Sequence, residues 1–243
     1  MRSVLARSVQ VLTALAVMAC GMQHVFAQSG NDTGTPEQAP KKASSDLEPL
    51  NIELPKPMFV GTPKNIRSPN LEKVTGKKRP PFLAPKGATN LAFGKDVTGS
   101  DELPIIGELE QVTDGDKEAS EGSFVEFGPG VQYVQIDLGE PCEIYAIVIW
   151  HYHAEARVYH DTIVRVADDP DFISNVQTLF NNDHDNSAGL GVGKDKEYIE
   201  TNEGKLVDAG SVKTRYVRMY SNGSTSSDVN HYIEVEVYGK PIG

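Results

Sequence analysis

Residues 87–243 predict an all-β, antiparallel sandwich, on three observations. Apolar and polar residues alternate at period two in several short segments, Gly, Pro, Asn and Asp punctuate those segments, and no stretch of ten or more residues carries a helical period. Without strand–helix alternation there is no basis for a parallel α/β sheet, so strands must bury their apolar faces against other strands. Residues 131–138 place Val134, Ile136 and Leu138 on one face and Gln135 and Asp137 on the other, as a half-buried strand requires. Residues 143–152 form a longer apolar run rich in Ile, Val, Tyr and Trp, suited to a central strand. Residues 161–167, 215–220 and 232–238 alternate again.

Composition bounds the class. The chain has 243 residues, 39% apolar and 23% charged, values that argue against wholesale disorder, a collagen repeat and a polytopic membrane protein. Cys20 and Cys142 are its only cysteines, too few for a disulfide scaffold or a zinc ribbon. The net charge of −11 hides an asymmetry: residues 1–86 hold 12 Lys/Arg against 6 Asp/Glu, and residues 87–243 hold 11 against 28. So acidic a body repels phosphate backbones, which disfavours nucleic acid and favours cations or neutral polymers such as glycans.

The N-terminus reads as an export signal over residues 1–27. Arg2 and Arg7 flank the start of an apolar stretch, Val4 to Ala19, too short for a full membrane span. Val25-Phe26-Ala27 before Gln28 fits ordinary signal cleavage and is the preferred site; Val17-Met18-Ala19-Cys20 resembles a bacterial lipobox with an atypical Met18. Either site places the mature chain outside the cytoplasm, secreted, periplasmic or on the cell surface, with Cys142 as a buried small apolar residue. Residues 28–86 carry ten of the fifteen prolines and no sustained apolar period, so they read as a disordered linker, with Pro57-Met58-Phe59-Val60 as a short extended stretch able to pack on the domain. The run Lys77, Lys78, Arg79 reads as a solvated charge cluster, with anionic envelope polymer as the other possible role.

Five segments in order carry a family resemblance. Asn90-Leu91-Ala92, Gly94-Lys95 and Val97-Thr98 resemble the opening of discoidin domains, also called coagulation-factor type C domains, and Val112-Thr113-Asp114-Gly115-Asp116 follows. Tyr133-Val134-Gln135-Ile136-Asp137-Leu138-Gly139 is similar to the family's WVQIDLG with Tyr in place of Trp; Arg215-Tyr216-Val217-Arg218 and Glu234-Val235-Glu236-Val237-Tyr238-Gly239 complete the set. The resemblance implies an eight-stranded jelly-roll β-sandwich of the galactose-binding-like type. Its members bind sugars, phospholipids or proteins through variable loops at one end, so the fold alone does not name the ligand.

Asp114-Gly115-Asp116 offers two hard oxygen ligands around a sharp turn, a partial cage for Ca²⁺, and also fits a plain Asp-Gly turn. The resemblance implies a calcium held by Asp114, the backbone of Asp116 and Glu234; it departs from the family pattern at Ala119, where Thr or Ser is common. The stretch from Trp150 to Asp161 holds His151, His153 and His160 with Arg157 and Tyr159. In sugar-binding relatives such residues meet hydroxyls and stack on rings, which makes His151, His153, Arg157, Tyr159, His160, His184, Asn230 and His231 the candidate ligand-binding set. The other reading makes Trp150 and Tyr152 core, pairs Arg157 with Glu155, and leaves the histidines capping strand ends. His151 and His153 share a strand face, and with His160 or His184 they define a candidate Zn²⁺ or Cu²⁺ site without a spacing motif to support it.

Residues 180–187 are rich in calcium-style oxygens yet fail as an EF-hand, since Ala188 and Lys194 stand where Gly and Glu are needed. They read as a ligand-facing or self-bonded Asx loop. Gly189, Gly191, Gly193 and Lys194 do not make a phosphate loop, and are expected to form a mobile turn. The polar run 221–228 precedes Asn230 and His231. GxSxG, HExxH and HxE with PCxxC are all absent. The sequence therefore predicts a non-catalytic exported module that binds glycan or cell-envelope polymer, with an envelope-protein scaffold or a metal-dependent extracellular enzyme as alternatives.

Overall fold

In the computed structural model, residues 46–59 and 66–243 are described. The export signal, both cleavage sites, Cys20 and the start of the linker lie outside them. The described residues form β1 (Leu47–Pro49), β2 (Leu83–Pro85), β3 (Thr89–Asn90), β4 (Val97–Gly99), a 3-10 helix (Leu109–Thr113), β5 (Val125–Phe127), β6 (Gln132–Trp150), β7 (Ile163–Ala167), β8 (Gln177–Asn181), β9 (Lys205–Ser221), β10 (Asn230–Tyr232) and β11 (Glu234–Pro241). The chain is an antiparallel β-sandwich, and no α-helix occurs among the described residues.

Two long strands tie its halves together. β6 and β9 pair along most of their lengths, with breaks in register between Asp137 and Cys142 and between Ile144 and Ala146. On one side of the first break lie β4, β7 and β8; on the other lie β11 and β3. Both halves of β6 feed one core, because Val134, Ile136 and Leu138 share a cluster with Ile144, Ile147 and Ile149, joined by Phe127, Val217, Met219, Tyr232, Val235 and Val237. The second break is a bulge, which explains why Ile144 faces that core and yet, three residues on, Ile147 faces it too.

The continuous apolar run 143–152 is buried on both faces. Its other face carries Ala146, Val148 and Trp150, which pack with Ile233 and Tyr238 and are covered by Leu50, Ile52 and Phe82. Part of the stretch expected to be linker is thus folded onto the sandwich. β1 pairs with β2, Asn202 Nδ2 donates to the Pro55 carbonyl at 2.9 Å, and Arg79 donates from its guanidinium to the Gly204 carbonyl at 2.9 Å. The prolines prevent long ladders, but an extended chain can still dock single apolar side chains and tie down isolated polar groups. The glycine-rich turn expected to be mobile is fastened as well. Asn181 Nδ2 donates to the Gly191 carbonyl, Gly191 N–H donates to Asn186 Oδ1, and Gly193 N–H donates to the Asp183 carbonyl.

Candidate functional site

The structure divides the candidate ligand-binding residues into an interior set and a groove set. His151, His153, Arg157, Tyr159, Asn230 and His231 are all buried. His151 stacks on Tyr159 at a centroid distance of 4.4 Å, with the Glu200 carboxylate 3.6 Å from its Nδ1. His153 Nε2 lies 2.9 Å from the Lys117 carbonyl. Arg157 donates to Glu155 at 3.2 Å and lies over the Tyr152 ring at 4.7 Å. Asn230 uses its whole amide to clasp two turns, accepting from Ser221 and Gly223 and donating to the carbonyls of Gly128 and Gly130. These six therefore sit in internal contacts instead of facing solvent. Among the described residues, no histidine belongs to a group of three ligands close enough to share one metal ion.

His231 joins this network through both ring nitrogens. Its Nδ1 lies 3.0 Å from the Tyr159 hydroxyl and its Nε2 lies 3.0 Å from Glu126. A carboxylate at that distance favours the imidazolium, but burial is the larger influence and, with Arg157 and His151 nearby, pushes His231 down to about 4. The ring is then neutral at pH 7, with Nε2–H donating to Glu126 and Nδ1 accepting from Tyr159, whose own proton burial holds firmly in place. Because the folded value lies below the unfolded 6.5, this group's stability is present above pH 6.5 and is lost as pH falls toward 4. The urea midpoint is accordingly expected to drop across that window, and to drop less steeply in His231→Gln; equal slopes would contradict the assignment.

At the expected calcium turn, Asp116 N–H donates to Asp114 Oδ1 at 2.7 Å, and the Asp116 carboxylate accepts the Glu118 N–H at 2.9 Å. Glu234 is fully buried and accepts the Gly115 N–H at 3.1 Å through Oε2, while its Oε1 has no partner. Burial, with Glu236 and Asp114 close by, pushes Glu234 up to about 9. An unpartnered carboxylate oxygen beside Asp114 fits a cation, and the Asp116 side chain, already engaged, is suited to contribute only its backbone.

The groove set lies elsewhere. His160 and His184 are half-buried and line one groove with Asn70, Asp161, Asn182, Asp185, Ser187, Glu197 and Asn222. Local pairing builds it. Residues 158–160 run beside 222–225, with His160 N–H donating to the Gly223 carbonyl and Asn222 N–H to that of His160. Asp161 then turns in the left-handed region, φ 50°, and its Oδ2 accepts Ser187 Oγ and Asn222 Nδ2, each at 2.7 Å. Asn182, at the end of β8, accepts the Thr162 N–H through Oδ1 at 2.7 Å. The opposite wall comes from the N-terminal segment: Glu197 N–H donates to the Asn70 carbonyl, and Glu72 N–H to that of Glu197.

Three polar atoms of this wall are enclosed and unpartnered: Asn182 Nδ2, His184 Nε2 and Glu197 Oε2. Asp161, Asp183 and Asp185 bring one oxygen each within 4.8 Å of one another. Ser187 holds them there, because its N–H donates to Asp183 and Asp185 and its hydroxyl to Asp161. Those donors hold the Asp185 carboxyl below the usual carboxylate range, opposite to what a general acid needs. Of the groove residues, His160 and His184 were candidates from the sequence, and the 180–187 loop was singled out for its oxygens. Asn222 lay in a polar run without a distinguishing signal, Glu197 had none, and Asn70 lay within the proline-rich stretch. A separate surface cluster places the Arg218 guanidinium over Phe172 at 4.0 Å and Tyr133 at 4.5 Å, with donors spent on Gln135 and the Pro170 carbonyl.

No family model matches the sequence, and no curated protein matches it. Among solved structures, the CBM32 of AlyQ in complex with 4,5-unsaturated mannuronic acid aligns with a TM-score of 0.43 at 20% identity, over 60% of this chain and 95% of that one. A Streptococcus pneumoniae fucose binding module, SpX-3, aligns at 0.42 and 16%, over 62% and 97%. A family 89 glycoside hydrolase from Clostridium perfringens aligns at 0.47 and 19%, over 63% of this chain and 15% of the hydrolase, so the likeness there spans a small part of a much longer enzyme.

Proposed function

We propose that this chain is an exported, non-catalytic glycan-binding module whose sugar site is the groove between the 157–162 segment, the 181–197 loop and Asn70. The mix of unpartnered atoms along the groove wall carries this reading: Asn182 Nδ2 is a donor, Glu197 Oε2 an acceptor, and His184 Nε2 serves as either. A buried polar atom without a partner is costly, and side-chain rotation toward a ligand rich in hydroxyls, which donate and accept at once, would give each of the three a partner. The signal-like leader supports a secreted, periplasmic or cell-surface location, where glycan and envelope polymer are found.

A glycan-array screen of the intact chain tests this. Specific binding that weakens at least about tenfold in Glu197→Gln and His184→Ala is expected, each variant removing one or two hydrogen bonds. A blank array would reject the glycan reading, and saturable binding to envelope extract that free sugars do not compete would assign the chain to protein scaffolding.

Calcium at Asp114, the backbone of Asp116 and Glu234 is the second part of the proposal, with a structural role. The ion would give the enclosed Glu234 carboxylate the partner it lacks and lock the turn onto β11. Millimolar Ca²⁺ is expected to raise the thermal midpoint of the parent by a few degrees and that of Glu234→Gln by much less. An equal rise in both would remove Glu234 from the site.

A further inference from the structure

The groove carries a charge pattern that goes beyond a general fit to hydroxyls. Asp161, Asp185 and Glu197 line it, Asp183 stands directly behind them, and no Lys or Arg is among the lining residues. Three carboxylates held within 4.8 Å repel one another. Ser187 and Asn222 offset this only with neutral donors. The wider body adds the same sign, with 11 Lys/Arg against 28 Asp/Glu in residues 87–243.

A second, independent feature marks the place as built for a ligand. Asn182 lines the groove and is 2% exposed, its Oδ1 is fixed by the Thr162 N–H, and its enclosed Nδ2 has no partner. Glu197 Oε2 is likewise enclosed and unpartnered. An unpartnered amide donor and an unpartnered carboxylate oxygen on residues of one groove match a sugar that offers both a ring or hydroxyl oxygen and a charged donor.

We infer that the groove selects a glycan whose sugar carries a free ammonium group, an unacetylated amino sugar, over its N-acetylated counterpart, and rejects uronates. This rests on the reading of the groove as a sugar site. The ammonium offers three N–H donors to Glu197 and the aspartate cluster and cancels part of their repulsion. Acetylation removes the charge, and a uronate carboxylate adds a further like charge to the cluster.

Titration of the intact chain with short oligomers of glucosamine, N-acetylglucosamine and a uronic acid separates the outcomes. The free-amine oligomer is expected to bind at least about tenfold tighter than the acetylated one, which corresponds to about 1.4 kcal/mol, and the uronate not to bind. That advantage is expected to shrink in Glu197→Gln and Asp185→Asn, to weaken with salt, and to persist in Glu102→Gln and Glu121→Gln, which remove exposed charges outside the groove. Equal affinity for amine and acetylated sugars would overturn the charge selection and leave the glycan reading standing. An amine advantage that survives in both groove variants would assign it to the general acidity of the body and overturn the inference. Absence of binding to every oligomer would overturn the inference, and the glycan array then decides the glycan reading separately.

Discussion

Removing residues 1–86, so that the chain begins at the boundary composition suggests, is expected to destabilise the sandwich by several kcal/mol. Leu50, Ile52 and Phe82 cover the face of β6 that carries Ala146, Val148 and Trp150. A fully buried side chain of this size contributes about 1.5–3 kcal/mol, and these three are partly buried, so a loss on the order of 4 kcal/mol is expected. For a domain whose whole stability is about 5–15 kcal/mol, that is a large share. The same cut removes Asn70 and the strand-like pairing that fixes Glu197, so it opens the groove. Trp150 is the single tryptophan and fully buried, so urea unfolding followed by its fluorescence reads the change directly. An unchanged midpoint would contradict a structural role for residues 46–59 and 66–86.

Trp150→Ala is the largest single-residue effect expected. The ring packs in the second cluster, its Nε1–H donates to the Asn202 carbonyl at 3.0 Å, and Lys117 Nζ lies 5.2 Å from its centroid. Gly204, in the left-handed region at φ 62°, has no room for a side chain because a Cβ would stand 2.8 Å from the indole. Large aromatic truncations in cores cost about 3–5 kcal/mol. Far-UV circular dichroism against urea measures it. A loss below about 1 kcal/mol would contradict the role of Trp150 in the cohesive core.

The class of fold was legible because period-two alternation has a direct physical cause, and the apolar faces around Val134 and Val235 enter the core as that pattern requires, although the polar face of β11 is covered too, with Glu234 and Glu236 buried. The run 143–152 also signalled that both faces are covered. It did not say by what, because the covering chain holds only isolated apolar residues, Leu50, Ile52 and Phe82, spaced by prolines that suppress any period. Residue type was a poor guide to the site. His, Arg and Tyr between 151 and 159 have the inventory of a sugar site, yet β6 continues to Trp150 and carries the chain that follows into the interior. His160 reaches the groove because Asp161 turns the chain there, and Asn70 and Glu197 meet through a pairing 127 residues apart in the chain, about which no local pattern carries information.

The most direct test of the central claim is to locate bound sugar by backbone-amide NMR of the intact chain, titrated with the tightest-binding oligomer. The account predicts shifts concentrated at residues 160–162, 182–187, 197 and 222, with Asn70 among them. Shifts confined to the surface around Tyr133, Phe172 and Arg218, with the groove amides unmoved, would contradict it.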